Sequence, residues 1–152
     1  MTPGSPVPGP QSRSLFSWPT RVYWEDTDAG GVVYHARYVA FMERARTEWM
    51  RALGFGQDRM RQEHDLVFVV RSMELDFLKP ARLDDALEVS VVLRRCRRAS
   101  LEFFQTVRRG DELLTTASVR AAAVGATSLR PRGMGDALFD VLKTLENQES
   151  ED

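Results

Sequence analysis

The sequence predicts an α+β fold in which an antiparallel β-sheet curls around one long helix. Two observations support this prediction. Before residue 54, apolar residues recur at intervals of three and four, the spacing of a helix that buries one face. From residue 66 onward, apolar and polar residues alternate in successive runs, the spacing of strands with one buried face. The order strand, helix, four strands leaves one long helix to cover one face of the sheet.

The first half of the chain is predicted to contain one strand and two helices. A β-branched and aromatic run indicates a strand from Arg21 to Trp24. The long helix runs from about His35 to Leu53 and spans about 28 Å, with Gly54 available to end it. Asp58 is predicted to cap a short helix that continues to about His64. The apolar stripe of the long helix comprises Tyr38, Met42, Ala45, Trp49 and Leu53, widened by Val39 and Phe41.

The second half is predicted to contain four strands and a C-terminal helix. Arg109-Gly110-Asp111 indicates the hairpin turn into the last strand, from about Leu113 to Val124. The spacing of leucines and valine from Asp136 to Leu145 predicts an amphipathic helix. The buried faces of the first three strands are predicted to carry Met73, Leu75 and Phe77, then Leu87, Val89, Val91 and Leu93, then Leu101, Phe103 and Gln105.

Composition bounds the domain organisation and excludes several classes of protein. The 152 residues fit one domain, predicted at 15–147, between a Pro/Gly/Ser-rich disordered tail at 1–14 and an acidic tail at 148–152. A net charge of −1 gives no basic field for nucleic acid. Cys96 is the single cysteine, which excludes an internal disulfide and suggests a reduced, cytoplasmic protein. No apolar run approaches the roughly 20 residues of a membrane span, and residues 1–14 lack the apolar centre of a signal peptide.

The most informative stretch is Glu25 to His35, in which three carboxylates precede two glycines and the start of the long helix. A carboxylate in a Gly-rich turn before a helix lies beside free backbone N–H groups and the positive end of the helix dipole. Such a site can stabilise a reacting oxygen next to an acid or nucleophile, which suits hydrolysis of an acyl group. The alternative for Asp28 is an ordinary Asx turn, with its carboxylate bonded to the N–H groups of the following glycines.

The same stretch carries a family resemblance. The order Asp-x-Asp-Ala-Gly-Gly-x-x-Tyr-His-x-x-Tyr, from Asp26 to Tyr38, resembles the hotdog-fold thioesterases of the 4-hydroxybenzoyl-CoA thioesterase type. The branch it is most similar to is the acyl-CoA thioesterases associated with the Tol–Pal cell-envelope system. The resemblance covers roughly residues 16–132 and implies a hotdog fold, with a long central helix wrapped by a curved antiparallel sheet. It is extended by Phe68-Val69-Val70-Arg71, Pro80-Ala81-Arg82-Leu83-Asp84-Asp85 and Arg97-x-x-Ser100-Leu101.

The resemblance implies roles for residues of the motif. Asp28 matches the essential carboxylate of the family, which either attacks the thioester carbonyl or activates water as a general base. His35 matches the position whose backbone N–H faces the thioester oxygen, with a supporting role for its side chain. Tyr34 is a candidate wall of the pocket or an ordinary packed tyrosine. Glu43 is a back-up catalytic carboxylate or the ion-pair partner of Arg46, Arg44 or an arginine of another copy.

The basic run Arg94-Arg95-Cys96-Arg97-Arg98 is either a solvated strand end or a phosphate-binding patch. Arginine binds phosphate through two parallel hydrogen bonds. Because the family binds CoA at a boundary between protomers, the resemblance implies Arg97 and Arg98 as the CoA-binding residues.

The acidic residues at the start of the stretch from Glu25 to His35 could also suggest a metal site. Glu25 and Asp26 raise the idea of a metal site with Asp28 and His35, but no second acidic or histidine-rich segment completes it, and surface charge beside a strand end explains them better. No metal or cofactor is expected.

The expected partners are the acyl-CoA substrate, a second copy in a homodimer or homotetramer, and in one alternative an acyl carrier protein. An exposed sheet edge invites another chain. The rival function is a non-catalytic acyl-carrier-protein or envelope-assembly partner with the same fold. A hotdog hydratase is disfavoured, because its Asp/His pattern is absent.

Overall fold

The computed structural model describes residues 15–146, and the predicted tails at 1–14 and 148–152 lie outside the described residues. Within 15–146 the chain forms five strands, a short 3-10 helix at Trp24–Asp26 and three α-helices. The α+β class predicted from the sequence is confirmed. In chain order the elements are β1 Phe16–Arg21, α1 Arg37–Ala52, α2 Gln57–His64, β2 Leu66–Phe77, β3 Ala86–Arg97, β4 Ser100–Arg109, β5 Glu112–Gly125 and α3 Asp136–Leu145.

The five strands form a single antiparallel sheet in the order β1-β3-β4-β5-β2. At one end of the sheet Phe77 of β2 pairs with Thr115 of β5. At the other end Ser100 of β4 pairs with Ala122 of β5. Gly110, with φ of +60°, makes the predicted hairpin turn between β4 and β5. The two edges of the sheet are β1 and β2, and β2 is the longer of them.

Helix α1 packs the face predicted from its apolar spacing against the sheet. Trp49 meets Phe103 of β4 edge-on, with ring centroids 5.4 Å apart. Gly54 lies just beyond the helix with φ of +91°, a conformation that glycine adopts without strain, so its predicted role at the helix end is confirmed. Val39 is 39% exposed and does not widen the stripe. The buried side chains of α1 are Tyr38, Phe41, Met42, Ala45, Arg46, Trp49 and Met50.

Two element predictions were wrong. The first strand lies at Phe16–Arg21, because those residues pair along β3, whereas Trp24–Asp26 turns into a 3-10 helix. Pro19 is tolerated there because β1 is an edge strand, on which a missing N–H costs little. Asp58 does not cap α2: the cap position is Gly56, and the Asp58 carboxylate accepts a hydrogen bond from Arg61 in the first two turns.

A buried polar network fastens α1 to the centre of the sheet. The side chain of Gln105 on β4 is fully buried. Its Oε1 accepts a hydrogen bond from Nη1 of Arg46 at 2.9 Å, and its Nε2 donates to the carbonyl oxygens of Met42 and Ser90 at 3.1 and 3.2 Å. Burial lowers the pKa of the Arg46 guanidinium, and the nearby Glu43 charge opposes that shift. The Gln105 side chain thus forms hydrogen bonds with both the buried Arg46 guanidinium and the helix carbonyl of Met42.

No helix among residues 15–146 combines the length and apolar character needed to cross a bilayer.

We expect Gln105→Leu to lower the free energy of unfolding by about 2–4 kcal/mol, because it leaves the buried Arg46 guanidinium without its partner. Urea-induced unfolding at a fixed protein concentration measures the change. The matched control is Gln62→Leu on exposed α2, which should shift the unfolding free energy by less than about 0.5 kcal/mol. Equal effects of the two substitutions would show that the network contributes nothing specific.

Candidate active site

The segment between the 3-10 helix and α1 forms a small ribbon that is tied to the chain before β3. Thr27 and Val33 pair across the ribbon, and the N–H of Asp28 donates to the carbonyl oxygen of Val32 at 2.9 Å. The N–H of Val33 donates to the carbonyl oxygen of Ala81 at 2.9 Å. Gly31 makes the tip with φ of +84°, where a side chain would be strained. The ribbon therefore holds its tip in one place relative to the sheet.

Asp28 lies exposed at this tip. Its Oδ1 accepts a hydrogen bond from the N–H of Gly30 at 2.8 Å, the Asx-turn contact that the sequence suggested. Within residues 15–146 no donor is found for Oδ2 of Asp28. A Cβ at position 30 would lie 3.3 Å from Oδ1, so glycine there leaves room for the carboxylate. One oxygen is fixed by the turn, and the other faces outward.

His35 lies exposed just before α1, between two aromatic rings. Its imidazole is 4.5 Å from the ring of Tyr34 and 6.4 Å from that of Phe77, measured between centroids. Ala36 occupies the N-cap position of α1, and its side chain accepts no capping hydrogen bond. In the described part of the chain the N–H groups of His35 and Ala36 donate no hydrogen bond. Two free donors at the positive end of a helix dipole are suited to an oxygen that gains negative charge.

Tyr34 is not packed in the interior, contrary to one of the two sequence-based readings. Its side chain is 46% exposed and leans on His35. Its backbone N–H donates to the carbonyl oxygen of Asp26, which fixes the chain while leaving the ring at the surface. Tyr34 and His35 thus stand beside each other at the start of α1, together with Phe77 from the end of β2.

Asp26 is not the surface charge predicted from the sequence. It is 3% exposed, and its carboxylate accepts hydrogen bonds from Nε of Arg37 at 2.9 Å and from the N–H of Tyr23 at 2.9 Å. Sequence reasoning missed this role. The available signal was Arg37 itself, a cation in the first turn of a helix that has no acidic residue there. No group of three or more metal-ligating side chains occurs among residues 15–146, and Asp26 is already neutralised by Arg37.

Glu43 lies two turns along α1 from His35, at the rim of a cavity of about 170 Å³ between α1 and β2. Neither predicted ion pair of Glu43, with Arg46 or with Arg44, is found within residues 15–146. The Arg46 guanidinium instead donates a hydrogen bond to Gln105, with the Glu43 charge nearby. Apolar side chains of Met50, Phe68 and Val70 form much of the cavity wall. Glu43 is therefore a carboxylate beside an apolar cavity, separate from the ribbon that carries Asp28.

Arg97 and Arg98 lie at the turn between β3 and β4. Arg97 is 3.8 Å from the Glu102 carboxylate. Arg98 bonds the Asp136 carboxylate at 2.8 Å and stacks over the ring of Phe139 at 4.1 Å, so it also holds α3 in place.

The patch and the Asp28 ribbon lie at opposite ends of the sheet. The patch adjoins the end where Ser100 pairs with Ala122, whereas the ribbon adjoins the end where Phe77 pairs with Thr115. Thr115 and Ala122 are seven residue steps apart along β5, roughly 24 Å of strand. Within one chain, the fold does not bring the two together.

Comparisons with known proteins identify the family. Residues 30–116 match the thioesterase superfamily. The chain is 48% identical over 131 residues to the acyl-CoA thioester hydrolase YbgC of Escherichia coli O6:H1, covering 86% of this chain and 97% of that protein. It is 46% identical over 116 residues to the acyl-CoA thioesterase YbgC of Haemophilus influenzae, covering 76% and 85%.

A solved structure agrees. The crystal structure of a probable thioesterase from Bartonella henselae superposes with a TM-score of 0.76 at 36% identity, covering 80% of this chain and 99% of that one. The superposition shows that the chain also shares the fold of that protein. The chain therefore belongs to the thioesterase superfamily and is a thioesterase.

Proposed function

We propose that this chain hydrolyses acyl-CoA thioesters to a free carboxylic acid and CoA, with the Asp28 ribbon and the start of α1 as the active site. The observation that carries the proposal is the free oxygen of Asp28 on the same short segment as the unpaired N–H groups of His35 and Ala36. A nucleophile or base and an oxyanion-binding pair are the two parts that acyl transfer to water requires.

The chemistry follows from these groups. The thioester oxygen accepts hydrogen bonds from the His35 and Ala36 amides, which stabilise the negative charge that develops on it. The Asp28 carboxylate either attacks the carbonyl carbon, giving a mixed anhydride that water then cleaves, or removes a proton from the attacking water. In both routes the C–S bond breaks, the CoA sulfur leaves and takes a proton, and water supplies the acid's second oxygen.

Neighbouring residues have supporting roles in this proposal. The Tyr34 and Phe77 rings flank His35 and limit access of water to the reacting carbonyl. The His35 imidazole has a supporting catalytic role beside the reacting carbonyl. Glu43 stays the back-up carboxylate, beside its own cavity. We also propose that α1 is the long central helix of a hotdog fold, wrapped by the curved sheet.

The proposal requires at least two copies of the chain. Edge strand β2 exposes unpaired backbone groups together with apolar side chains, notably Val69, Val70 and Phe77. Antiparallel pairing of two such edges about a twofold axis places the start of one β2 beside the end of the other. The sheet end that carries Arg97 and Arg98 in one copy then lies next to the sheet end that carries the Asp28 ribbon in the other copy. A homodimer, or a homotetramer built from dimers, would complete the CoA site.

The proposal includes three further predictions, about location, physiological role and the carrier of the acyl group. The enzyme acts in the cytoplasm, serves the Tol–Pal envelope system, and accepts CoA or acyl carrier protein as the carrier of its acyl group. The rival function is a binding partner that keeps the fold without turnover. Turnover by the purified chain separates the two functions directly.

We expect Asp28→Asn to lower kcat roughly 10²–10⁴-fold, because it removes the reacting oxygen while keeping nearly the same shape. Release of CoA thiol from a panel of short, long and aromatic acyl-CoA substrates, and from acylated carrier protein, measures the change. The matched control is Asp111→Asn, an exposed aspartate in the β4–β5 turn, which should leave kcat unchanged. Retention of more than half the activity by Asp28→Asn would overturn the assignment. Absence of turnover across the panel by the unchanged chain would favour the binding partner.

We expect Arg97→Ala together with Arg98→Ala to raise KM for acyl-CoA with little change in kcat, because phosphate contacts are the same in the ground and transition states. An acyl-pantetheine substrate, which lacks the nucleotide, should be insensitive. Since Arg98 also holds α3, the control is Asp136→Ala, which breaks that contact and keeps the arginine charge. Equal loss with both substrates, or the same loss in Asp136→Ala, would make the patch structural.

We expect a mixture of Asp28→Asn protein with the Arg97→Ala/Arg98→Ala protein to regain activity after subunit exchange. In a mixed dimer one site carries both lesions and the other carries neither, so up to about half of the wild-type activity per mixed dimer should return. Turnover at low acyl-CoA concentration measures it, with each variant alone as the control. A monomer by light scattering that still hydrolyses acyl-CoA would refute the shared site.

A further inference from the structure

We propose that Asp26 and Arg37 form a positioning pair that sets the geometry of the Asp28 ribbon against the start of α1 without touching the substrate. The inference rests on the proposed function of Asp28. It adds the buried Asp26 carboxylate and the partly exposed Arg37 to a site whose other members are exposed. Four contacts of Asp26, all at the ends of one segment, carry the argument.

The contacts of Asp26 close the segment that carries Asp28 and His35. Oδ2 accepts the N–H of Tyr23 at 2.9 Å, on the side where the chain enters. The carbonyl oxygen accepts the N–H of Tyr34 at 2.9 Å, on the side where the chain leaves the ribbon. Oδ1 lies 2.9 Å from Nε and 2.8 Å from Nη2 of Arg37, the first residue of α1. One buried residue thus joins the entry, the exit and the helix that supplies the oxyanion donors.

The pair also explains how α1 can begin without a side-chain cap. A serine or aspartate at the cap position would accept a hydrogen bond from the N–H of the second or third helical residue, here Tyr38 or Val39. Here that position is Ala36, and Arg37 places a cation where the helix dipole disfavours one. The Asp26 carboxylate offsets that charge from the side of the ribbon. The start of the helix is therefore anchored through Arg37. The N–H groups of His35 and Ala36, which precede the helix, donate no hydrogen bond among residues 15–146.

The pair acts on the rate through the position of Asp28. The ribbon's own hydrogen bonds fix its internal shape, and its bond to Ala81 ties it to the chain before β3. The exit of the ribbon is also bonded to α1, by the N–H of Arg37 that donates to the carbonyl oxygen of Tyr34 at 2.8 Å, and Ala81 donates to the Tyr38 hydroxyl at 3.1 Å. The Asp26 contacts add the link between the entry of the segment and the helix start. A displacement of about 1 Å at a reacting group can cost roughly 10²-fold in rate. Loss of the pair should thus lower kcat and leave KM nearly unchanged, because the CoA contacts do not depend on it.

The test compares Asp26→Asn with a matched carboxylate far from the site. Asp65 closes a loop at the other end of the sheet, where it accepts hydrogen bonds from Thr127 and Arg132. We expect Asp26→Asn to lower kcat roughly 10- to 100-fold with KM within about threefold. Asp65→Asn should lower the unfolding temperature and leave kcat unchanged. Both are assayed well below their unfolding temperatures. Equal effects of the two variants on kcat would overturn the proposal.

A double-mutant cycle separates positioning from a general structural role. In the Asp28→Asn background Asp26→Asn should cost less than about twofold, because the group that it positions is already gone. An equal loss in both backgrounds would overturn the proposal and leave the function of Asp28 intact. Full activity of Asp28→Asn alone would instead overturn the proposed function, and the positioning role with it.

A second variant keeps the test decisive if Asp26→Asn fails to fold. Arg37→Lys keeps the charge beside Asp26 but cannot present two nitrogens in one plane. We expect a several-fold lower kcat at unchanged KM. Wild-type kcat in Arg37→Lys, with stability lowered as in Asp65→Asn, would overturn the proposal.

Discussion

The constraint on which the rest of the site depends is the open N-terminus of α1. A helix start leaves backbone N–H groups without partners, and most helices satisfy some of them with a capping side chain. Here the cap position is an alanine, and the first helical residue is a cation, which makes the start unfavourable by itself. The buried Asp26 carboxylate offsets the Arg37 charge from outside the helix. The helix can therefore begin at this point, while the N–H groups of His35 and Ala36 before it donate no hydrogen bond in the described part of the chain.

Features decided by neighbours in sequence could be predicted. The C-terminal helix has the predicted bounds, Asp136 to Leu145, because its period buries Leu138 and Leu142 together. The Asp28 turn follows from the glycines beside it. The first strand could not be found in this way, since most of Phe16–Arg21 is exposed and only pairing with β3 makes it a strand. The burial of Asp26 likewise depends on Arg37, eleven residues away and on a different element.

The arrangement of the basic patch shows a different limit of sequence reasoning. The family resemblance implied that Arg97 and Arg98 bind the same substrate on which Asp28 is proposed to act, but a resemblance does not give the distance between them. Strand direction and register decide it: the β3–β4 turn and the end of β2 lie at opposite ends of the sheet. The patch can serve the Asp28 site only if another copy supplies it, which the long, exposed β2 edge invites. An apparent conflict within one chain thus becomes a requirement on assembly.

Three carboxylates within four residues illustrate how environment assigns roles to like groups. Glu25 is largely exposed and lies 3.5 Å from Arg37, a contact that water and salt weaken. Asp26 is buried against the same guanidinium, where loss of its charge would leave Arg37 with only the exposed Glu25 contact at the positive end of a helix. Asp28 is held at one oxygen only, at an exposed tip, and its other oxygen has no hydrogen-bond donor among residues 15–146. Under the proposed function the buried Asp26 is needed, because a carboxylate at a loop tip is a poor catalyst unless its loop is held in place.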